Sequence, residues 1–248
     1  MQHLKQAQLW IIIPCAGVGS RVGADIPKQY LPLHTSTVLE QTLERFICRD
    51  DVAGIILAIA DNDGWIKELP LIQACLKKNY GSKIYFTHGG KERSDSVTSA
   101  LQFLSDELQV NANDLVAIHD AARPCVNPSD LDAVFLAARQ HDAGALLAVP
   151  SVNTLKRAKV GKHAVTLSEQ TVDRSIIWQA HTPQVFRFDL IQSALHHANT
   201  NNLDITDDAS AVELLDKQPI LVEGSACNIK ITKAEDLALA EFYLQQMS

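Results

Sequence analysis

The chain has 248 residues, is 46% hydrophobic and carries a formal net charge of −7, which suits one large α/β domain or two small ones. The negative charge disfavours nucleic acid as a partner, because proteins that bind nucleic acid present a basic face. The N-terminal segment MQHLKQAQ lacks the apolar core of a signal peptide, and no apolar run reaches the length of a membrane span. We therefore expect a cytoplasmic protein that binds neither membrane nor nucleic acid, with 1–248 as a single domain.

The cysteines are odd in number, widely spaced and without a C-x-x-C pair, which argues against a structural zinc or a thioredoxin-type motif. Most lie in apolar contexts, so buried, reduced thiols are expected. They are Cys15, Cys48, Cys75, Cys125 and Cys227.

Short apolar runs alternate along the chain with stretches of helical periodicity, which is typical of a largely parallel sheet covered by helices. Strands are predicted at 10–13, 53–60, 83–87, 115–119, 144–149, 220–222 and 228–231. Helices are predicted at 37–47, 65–78 with an interruption at Pro70, 97–104, 128–138, 190–198, 208–215 and after Thr232.

Residues 151–177 depart from this rhythm, because they alternate polar and apolar side chains around a Gly161-Lys162 turn and show no helical stripe. The pattern predicts a long β-hairpin with too few apolar residues to be stable alone. Such an arm must pack on something, and a second copy of the chain is the most economical candidate. A homodimer joined through this arm is therefore expected.

The first predicted strand leads into a loop that should bind phosphate. The loop contains three glycines, Gly17, Gly19 and Gly23. Two cations, Arg21 and Lys28, lie in or just after it, and glycines allow backbone N–H groups to approach an anion closely. The alternative is a tight turn with solvated cations. A dinucleotide-binding fingerprint would need glycine where Val22 stands, and no Gly-Lys-Ser/Thr of a P-loop follows.

Three further polar clusters fall next to predicted strands, where open α/β sheets bind ligands. Residues 89–96 could present a helix N-terminus to an anion, or could be an ordinary capped helix start. Asp120 suits a Mg²⁺ ion held mainly by substrate phosphates, but an internal ion pair with Arg123 is equally plausible. Lys230 is either a phosphate clamp or an exposed edge lysine. The sequence contains no H-E-x-x-H metal motif and no G-x-S-x-G nucleophile elbow.

Together these segments resemble the 2-C-methyl-D-erythritol 4-phosphate cytidylyltransferase family in content and order. The matching segments are PCAGVGSRVGADIPKQYLPL, GGKERSDSV, VAIHDAARP, TVDRS with HTPQVF, DITDDASAVE, and CNIKIT with AEDLALAEFYL. They run from about residue 10 to 245. The chain departs from the family pattern at Lys91, where an acidic residue is common, and in extra residues around 161–167.

The resemblance implies a Rossmann-like, mixed and mostly parallel sheet flanked by helices, of the nucleotide-diphospho-sugar transferase type, with a protruding β-hairpin arm. It implies a homodimeric enzyme that uses CTP, methylerythritol phosphate and Mg²⁺ in non-mevalonate isoprenoid biosynthesis. By position in the matched motifs, the resemblance implies transition-state stabilisation by Arg21 and Lys28. It places in the CTP-contacting segments Ala16, Gly17, Gly19, Gly90, Ser96 and Asp120, with Asp120 also next to the metal. It places around the acceptor phosphate Arg123, Thr154, Arg174, Thr182, Thr206 and Lys230.

In the implied reaction, an acceptor phosphate oxygen attacks the α-phosphorus of CTP and pyrophosphate leaves. Arg174 and Lys230 would hold the attacking phosphate, with Arg174 and Thr154 coming from the partner's arm. Three alternatives remain at this point: a cytidylyltransferase for ribitol 5-phosphate, an NAD-dependent oxidoreductase, and a catalytically silent sugar-nucleotide-binding protein. The shifted third glycine counts against the oxidoreductase, and the presence of both Arg21 and Lys28 counts against the silent protein.

Overall fold

The structure is a computed structural model that describes residues 7–17, 26–77, 83–160 and 165–247. Its strands are β1 (Leu9–Pro14), β2 (Pro32–Leu33), β3 (Ser36–Thr37), β4 (Val52–Ile59), β5 (Ile84–His88), β6 (Leu115–Ile118), β7 (Ala145–Pro150), β8 (Leu155–Val160), β9 (Thr166–Val172), β10 (Trp178–Arg187) and β11 (Ile220–Glu223). Its helices are α1 (Val38–Ile47), α2 (Pro70–Leu76), α3 (Arg93–Asp106), α4 (Pro128–Gln140), α5 (Phe188–Thr200), α6 (Asp208–Glu213) and α7 (Glu235–Gln246), with short 3₁₀ turns at Lys28–Tyr30, Ile66–Glu68 and Arg174–Ile176. Within those residues, none of the helices combines the length and the apolar character that crossing a bilayer requires.

Seven strands form one sheet in the order β11-β7-β10-β6-β1-β4-β5. All neighbouring pairs run parallel except those of β10, which is antiparallel to both β6 and β7. The mixed, mostly parallel sheet flanked by helices is therefore confirmed.

Strand β10 is absent from the sequence predictions, although it lies in the middle of the sheet. Pro183 interrupts its sequence, and proline is normally confined to edge strands because it cannot donate to the ladder. The structure accommodates it at an irregularity, where pairing with β7 passes from Ala180 directly to Gln184. The ladder with β6 also begins only at Gln184, so the proline lies outside both ladders.

Strand β1 is buried on both faces, as its uninterrupted apolar sequence predicts. Ile11 and Ile13 point to one side, where they join a core that includes Leu39, Leu43 and Phe46 of α1 and Leu131 and Val134 of α4. Trp10 and Ile12 point to the other side and pack with Val97 and Leu101 of α3 and Ile191 and Leu195 of α5. Alternate side chains of β1 thus contact both helical layers, which fixes the carboxyl end of this strand.

The prediction of a strand at 228–231 is wrong. The N–H groups of Asn228 and Ile229 donate locally, to Ser225 O and Cys227 O, and the N–H of Ile231 donates to Ala122 O at 2.9 Å, in the loop after β6. Asn228 is fully buried, and Ile231 packs with Leu244 of α7. Side-chain contacts with the β6 loop and α7 therefore hold the segment that carries Lys230.

The hairpin predicted within 151–177 is confirmed for its described residues. Strands β8 and β9 pair antiparallel from Leu155↔Val172 to Val160↔Thr166 and form a two-stranded sheet of their own. The predicted turn at Gly161-Lys162 lies outside the described residues. Large apolar side chains of the arm and its base are exposed, with Val160 81% and Ile176 75% accessible.

Candidate active site

A cavity lies at the carboxyl ends of the neighbouring strands β1 and β6. From β1 the chain continues to β4 and β5 on one side of the sheet, and it then crosses to β6 on the other side, so the strand order reverses here. In open α/β sheets this reversal of strand order opens a crevice beyond the carboxyl ends of the strands. The cavity brings together seven predicted site residues: Ala16, Gly17, Lys28, Gly90, Ser96, Asp120 and Lys230.

Asp120 is the electrostatic centre of this cavity. Its Oδ1 lies 3.0 Å from Arg93 Nε, and its Oδ2 lies 2.9 Å from Lys230 Nζ and 3.3 Å from Arg123 Nε. Burial alone would raise the pKa of Asp120, but the charges of Arg93, Lys230 and Arg123 outweigh it and hold the pKa well below its usual range. The ion pair with Arg123 is therefore present, as one of three.

A chain of buried hydrogen bonds holds the backbone of Asp120 in place. The backbone N–H of Asp120 donates to Thr182 Oγ1 at 3.0 Å, and Thr182 Oγ1 lies 3.1 Å from His119 Nδ1. His119 Nε2 donates to Arg123 O at 3.0 Å, so Nδ1 is the acceptor for the threonine hydroxyl. Burial lowers the pKa of His119 to about 4 and keeps the ring neutral. Thr182, predicted to contact substrate, is 5% exposed and orients the Asp120 backbone in this structure.

Arg93 was not singled out from the sequence, yet it links two parts of the site. Besides Asp120, it pairs with Asp208 Oδ2 at 2.7 Å, and Asp208 is 1% exposed. Asp207 caps α6 and accepts a hydrogen bond from Gln184 Nε2 at 2.7 Å. A signal was available: an arginine in the first turn of a helix opposes the helix dipole unless carboxylates surround it.

Gly90 lies where the loop after β5 folds tightly onto α3. A Cβ on Gly90 would lie 2.1 Å from Asp95 Cβ, so only glycine fits. Its N–H donates to Ser96 Oγ at 3.0 Å, which places the serine hydroxyl at the cavity wall. Lys91 also lines the cavity.

Lys28 reaches the cavity from the 3₁₀ turn Lys28–Tyr30, and its Nζ donates to Ile231 O at 3.1 Å. Lys230 directly precedes Ile231 in the chain and lines the cavity too. Two lysines from distant parts of the sequence therefore face one space.

A second cavity of about 650 Å³ adjoins the first. Its lining includes Arg123, Val152, Gln179, His181, Glu223 and Lys230. Because Lys230 lines both cavities, they meet at the cations around Asp120. Two anionic ligands bound in the two cavities would approach each other at this cluster.

The sequence profile of the 2-C-methyl-D-erythritol 4-phosphate cytidylyltransferase family matches residues 9–246. The chain belongs to this family. It is similar to the enzymes of that name from Vibrio vulnificus, 44% identical over 235 residues (95% of this chain and 94% of the relative), and Vibrio atlanticus, 45% identical over 235 residues with the same coverage. Among solved structures, it resembles the Francisella tularensis cytidylyltransferase with a TM-score of 0.78 and 33% identity (96% of this chain, 100% of that one). It also resembles a 4-diphosphocytidyl-2C-methyl-D-erythritol synthase with a TM-score of 0.80 and 30% identity (96% of this chain, 99% of that one).

Other predicted residues of this cytidylyltransferase lie apart from the two cavities. Thr154 and Arg174 are exposed at the base of the arm, where Arg174 Nη1 donates to Val152 O. Thr206 is exposed and lines a third cleft, which shares Arg93 with the first cavity. Arg21 and Gly19, both expected at the nucleotide, lie outside the described residues.

The metal-ligating side chains of the cytidylyltransferase fit a divalent cation that is held mainly by the phosphates of the nucleotide. No group of three or more metal-ligating side chains occurs among the residues described. Asp120 supplies one carboxylate at the cavity, and its oxygens already accept from cations. One carboxylate together with nucleotide phosphates is a usual way of holding Mg²⁺.

Proposed function

We infer that this chain transfers the cytidylyl group of CTP to 2-C-methyl-D-erythritol 4-phosphate, giving 4-diphosphocytidyl-2-C-methyl-D-erythritol and pyrophosphate. This is a step of non-mevalonate isoprenoid biosynthesis, carried out in the cytoplasm. The observation that carries the proposal is the meeting of two cavities at one cationic cluster, with Lys230 in both walls. A transfer between two phosphorylated substrates needs such a meeting point, because both anions must come close enough to react.

In the reaction, an oxygen of the acceptor phosphate forms a bond to the α-phosphorus of CTP while the bond to the leaving pyrophosphate breaks. A phosphate monoester is largely dianionic near neutral pH and needs no strong base to react. His119 is unsuited to that task in any case, because both its ring nitrogens are engaged. Catalysis therefore depends on positioning and on stabilising the charge of the transition state.

Each substrate has its own set of groups. Lys28, with Arg21, neutralises charge on the α-phosphoryl group. The nucleotide is bound by Ala16, Gly17, Gly19, Gly90, Ser96 and Asp120. The acceptor is bound by Arg123 and Lys230, and by Thr154 and Arg174 of the partner's arm, and the contacts of Arg174 and Lys230 aim its phosphate at CTP. Thr182 acts through the Asp120 backbone and Thr206 lines another cleft, so we assign neither a direct contact with the acceptor.

Asp120 is the side chain that would hold a Mg²⁺ ion bound to the triphosphate. When bound, that ion would supply positive charge to the phosphates. Lys230 is the most exposed of the three cations on Asp120, with 39% of its side chain accessible, so it can turn towards a phosphate and leave Asp120 Oδ2 paired with Arg123 alone.

We also propose that residues 151–177 complete the active site of a second copy, so that the single catalytic domain 1–248 works as a homodimer. Packing of this arm against a partner would remove the exposed apolar side chains Val152, Val160 and Ile176 from water. Thr154 and Arg174 are exposed at its base and would then reach the partner's acceptor cavity.

The substrate assignment is tested by pyrophosphate release, measured with each nucleoside triphosphate and with methylerythritol phosphate or ribitol 5-phosphate. We expect turnover with CTP and methylerythritol phosphate and at least about 100-fold lower kcat/KM for the other pairs, since site-built hydrogen bonds discriminate strongly. Preference for ribitol 5-phosphate would replace the proposed acceptor with the alternative one.

The arm is tested separately by mixing two variants. Arg174→Ala and Lys28→Ala should each be nearly inactive alone, with Arg174→Ala raising the KM for the acceptor much more than that for CTP. If arms are exchanged, reassociated mixtures should recover about a quarter of wild-type activity, because half of the dimers are mixed and each has one intact site. A mixture that stays inactive after exchange would show that each arm serves its own chain.

A further inference from the structure

We propose that Gln29 is a positioning residue for the nucleotide. Its side-chain amide holds residues 15–17, which begin the loop after β1, in the form that presents a backbone N–H to the triphosphate, and it connects them to the turn that carries Lys28. The inference rests on the proposed function in one respect: the loop after β1 is taken as the nucleotide-binding loop.

The side-chain amide nitrogen of Gln29 donates to two carbonyls of that loop. Gln29 is 4% exposed, and its Nε2 donates to Cys15 O at 2.7 Å and to Gly17 O at 3.2 Å. Both amide protons thus go to carbonyls two residues apart. A buried side chain that spends both donors on one loop constrains the orientation of its peptide groups.

The hydrogen bond to Cys15 O also determines which way the N–H of Ala16 points. In a planar trans peptide, the C=O of one residue and the N–H of the next point to opposite sides. Because Cys15 C=O points at Gln29, the N–H of Ala16 points away from it. Cys15 N also donates to Ala58 O at 2.7 Å, which fixes the other side of the same residue to β4. Ala16 and Gly17 line the first cavity, so the orientation matters where the anion binds.

The same three-residue turn places the lysine. Lys28 and Gln29 are adjacent, and the next residue, Tyr30, is anchored by its hydroxyl to Asp63 in the loop after β4. Gln29 therefore sets the distance between the backbone donors of the loop and Lys28 Nζ. Preorganised donors are effective because they need not reorient when charge develops.

The test compares Gln29→Met with a matched control. Methionine keeps the length and volume of glutamine but donates no hydrogen bond. The control is Gln41→Met. Gln41 lies on helix α1, is 3% exposed and lines neither cavity, and its Nε2 donates to Ser36 Oγ of β3 at 3.0 Å. Each variant and the wild type are titrated with CTP by calorimetry, and their steady-state kinetics and melting temperatures are measured.

We expect Gln29→Met to weaken CTP binding and to lower kcat/KM for CTP by about 10–100-fold, the usual effect of losing a group that orients a ligand-binding group. The KM for the acceptor should change by less than about 2-fold, because Gln29 lines only the first cavity. Gln41→Met should also lower the melting temperature, because it loses a side-chain hydrogen bond, but it should leave CTP binding within about 2-fold.

Wild-type CTP affinity in a folded Gln29→Met protein would overturn the inference. If that variant does not fold, Gln29→Asn replaces it, because the shortened amide cannot reach both carbonyls, and unchanged CTP affinity there would overturn the inference equally. The proposed reaction is tested by a different result. Wild-type protein that binds CTP but does not transfer the cytidylyl group to methylerythritol phosphate would contradict the reaction without contradicting the role of Gln29.

Discussion

Lys230 Nζ lies 2.9 Å from Asp120 Oδ2, and this ion pair joins the two cavities of the site. The lysine side chain is 39% exposed and the aspartate 9%, so the lysine is the partner that can move. In the proposed reaction, the phosphate of the acceptor competes with Asp120 for this cation. The same contact thus balances the charge of Asp120 and keeps a cation at the junction of the two cavities.

Asp120→Asn should be costly for both stability and activity. The change leaves Arg93 and Arg123 without their shared counter-ion, and an uncompensated buried charge costs about 3–5 kcal/mol. We expect the free energy of unfolding in urea to fall by about 3 kcal/mol and kcat/KM to fall by about 100-fold. Asp132→Asn is the control, because Asp132 pairs with Arg49 at 2.7 Å but is 66% exposed. Its cost should stay below about 1 kcal/mol; equal costs for the two variants would contradict the central role of Asp120.

Arg93 and Asp208 should be strongly coupled. Arg93→Met leaves two buried carboxylates, Asp120 and Asp208, without the cation between them, so it should cost more than Asp208→Asn. In a double-mutant cycle measured by urea unfolding, we expect an interaction energy of about 1–3 kcal/mol between residues 93 and 208. Additive effects would mean that the 2.7 Å contact contributes nothing to stability.

Lys28→Met should lower kcat by about 100-fold, by analogy with the loss of a preorganised donor at a developing charge. Lys83→Met is a matched control, because Lys83 Nζ donates to Arg49 O at 3.0 Å, much as Lys28 Nζ donates to Ile231 O, but far from the cavities. Pyrophosphate release with the control should stay within about 2-fold of wild type, since a lysine remote from the site does not contact the reacting groups. Near-wild-type turnover of Lys28→Met would remove Lys28 from the chemistry.

His181→Gln should make the protein less sensitive to acid. Burial, with a smaller effect from the Arg123 charge and an opposing one from Asp120, lowers the pKa of His181 to about 4. The unfolded chain therefore binds this proton more readily than the folded chain, and the free energy of unfolding falls as pH decreases from about 6.5 to about 4. Because the ring is partly exposed, we expect a loss of only about 1 kcal/mol at pH 5 relative to pH 7 from this residue.

The measurement for His181 is urea unfolding of wild type and His181→Gln at pH 7 and pH 5. The wild type should lose more stability than the variant between the two pH values, and the difference isolates His181 from the other histidines. Parallel losses in the two proteins would show that the ring titrates alike in the folded and unfolded states.

Local pattern was sufficient to predict much of the fold. The buried strand β1, the helix start at Thr37 with Glu40, and the hairpin β8–β9 were all predicted correctly, because each depends on nearby residues. The predictions failed at β10 and at 228–231. Both segments owe their conformation to distant partners: β10 to strands on either side, and the segment of Lys230 to the β6 loop and α7.

The sequence by itself determined the family, the layered α/β architecture and seven of the residues that line the first cavity, because these follow from motifs and from apolar periodicity within short windows. Only the tertiary structure decided how Asp120 is partnered. Arg93, Arg123 and Lys230 come from three separate segments, and the energy of an ion pair depends on distance and burial, neither of which a linear pattern contains. The roles of Thr182 beneath Asp120 and of Gln29 behind the loop after β1 emerged for the same reason, since each is defined by hydrogen bonds to residues remote in sequence or hidden from solvent.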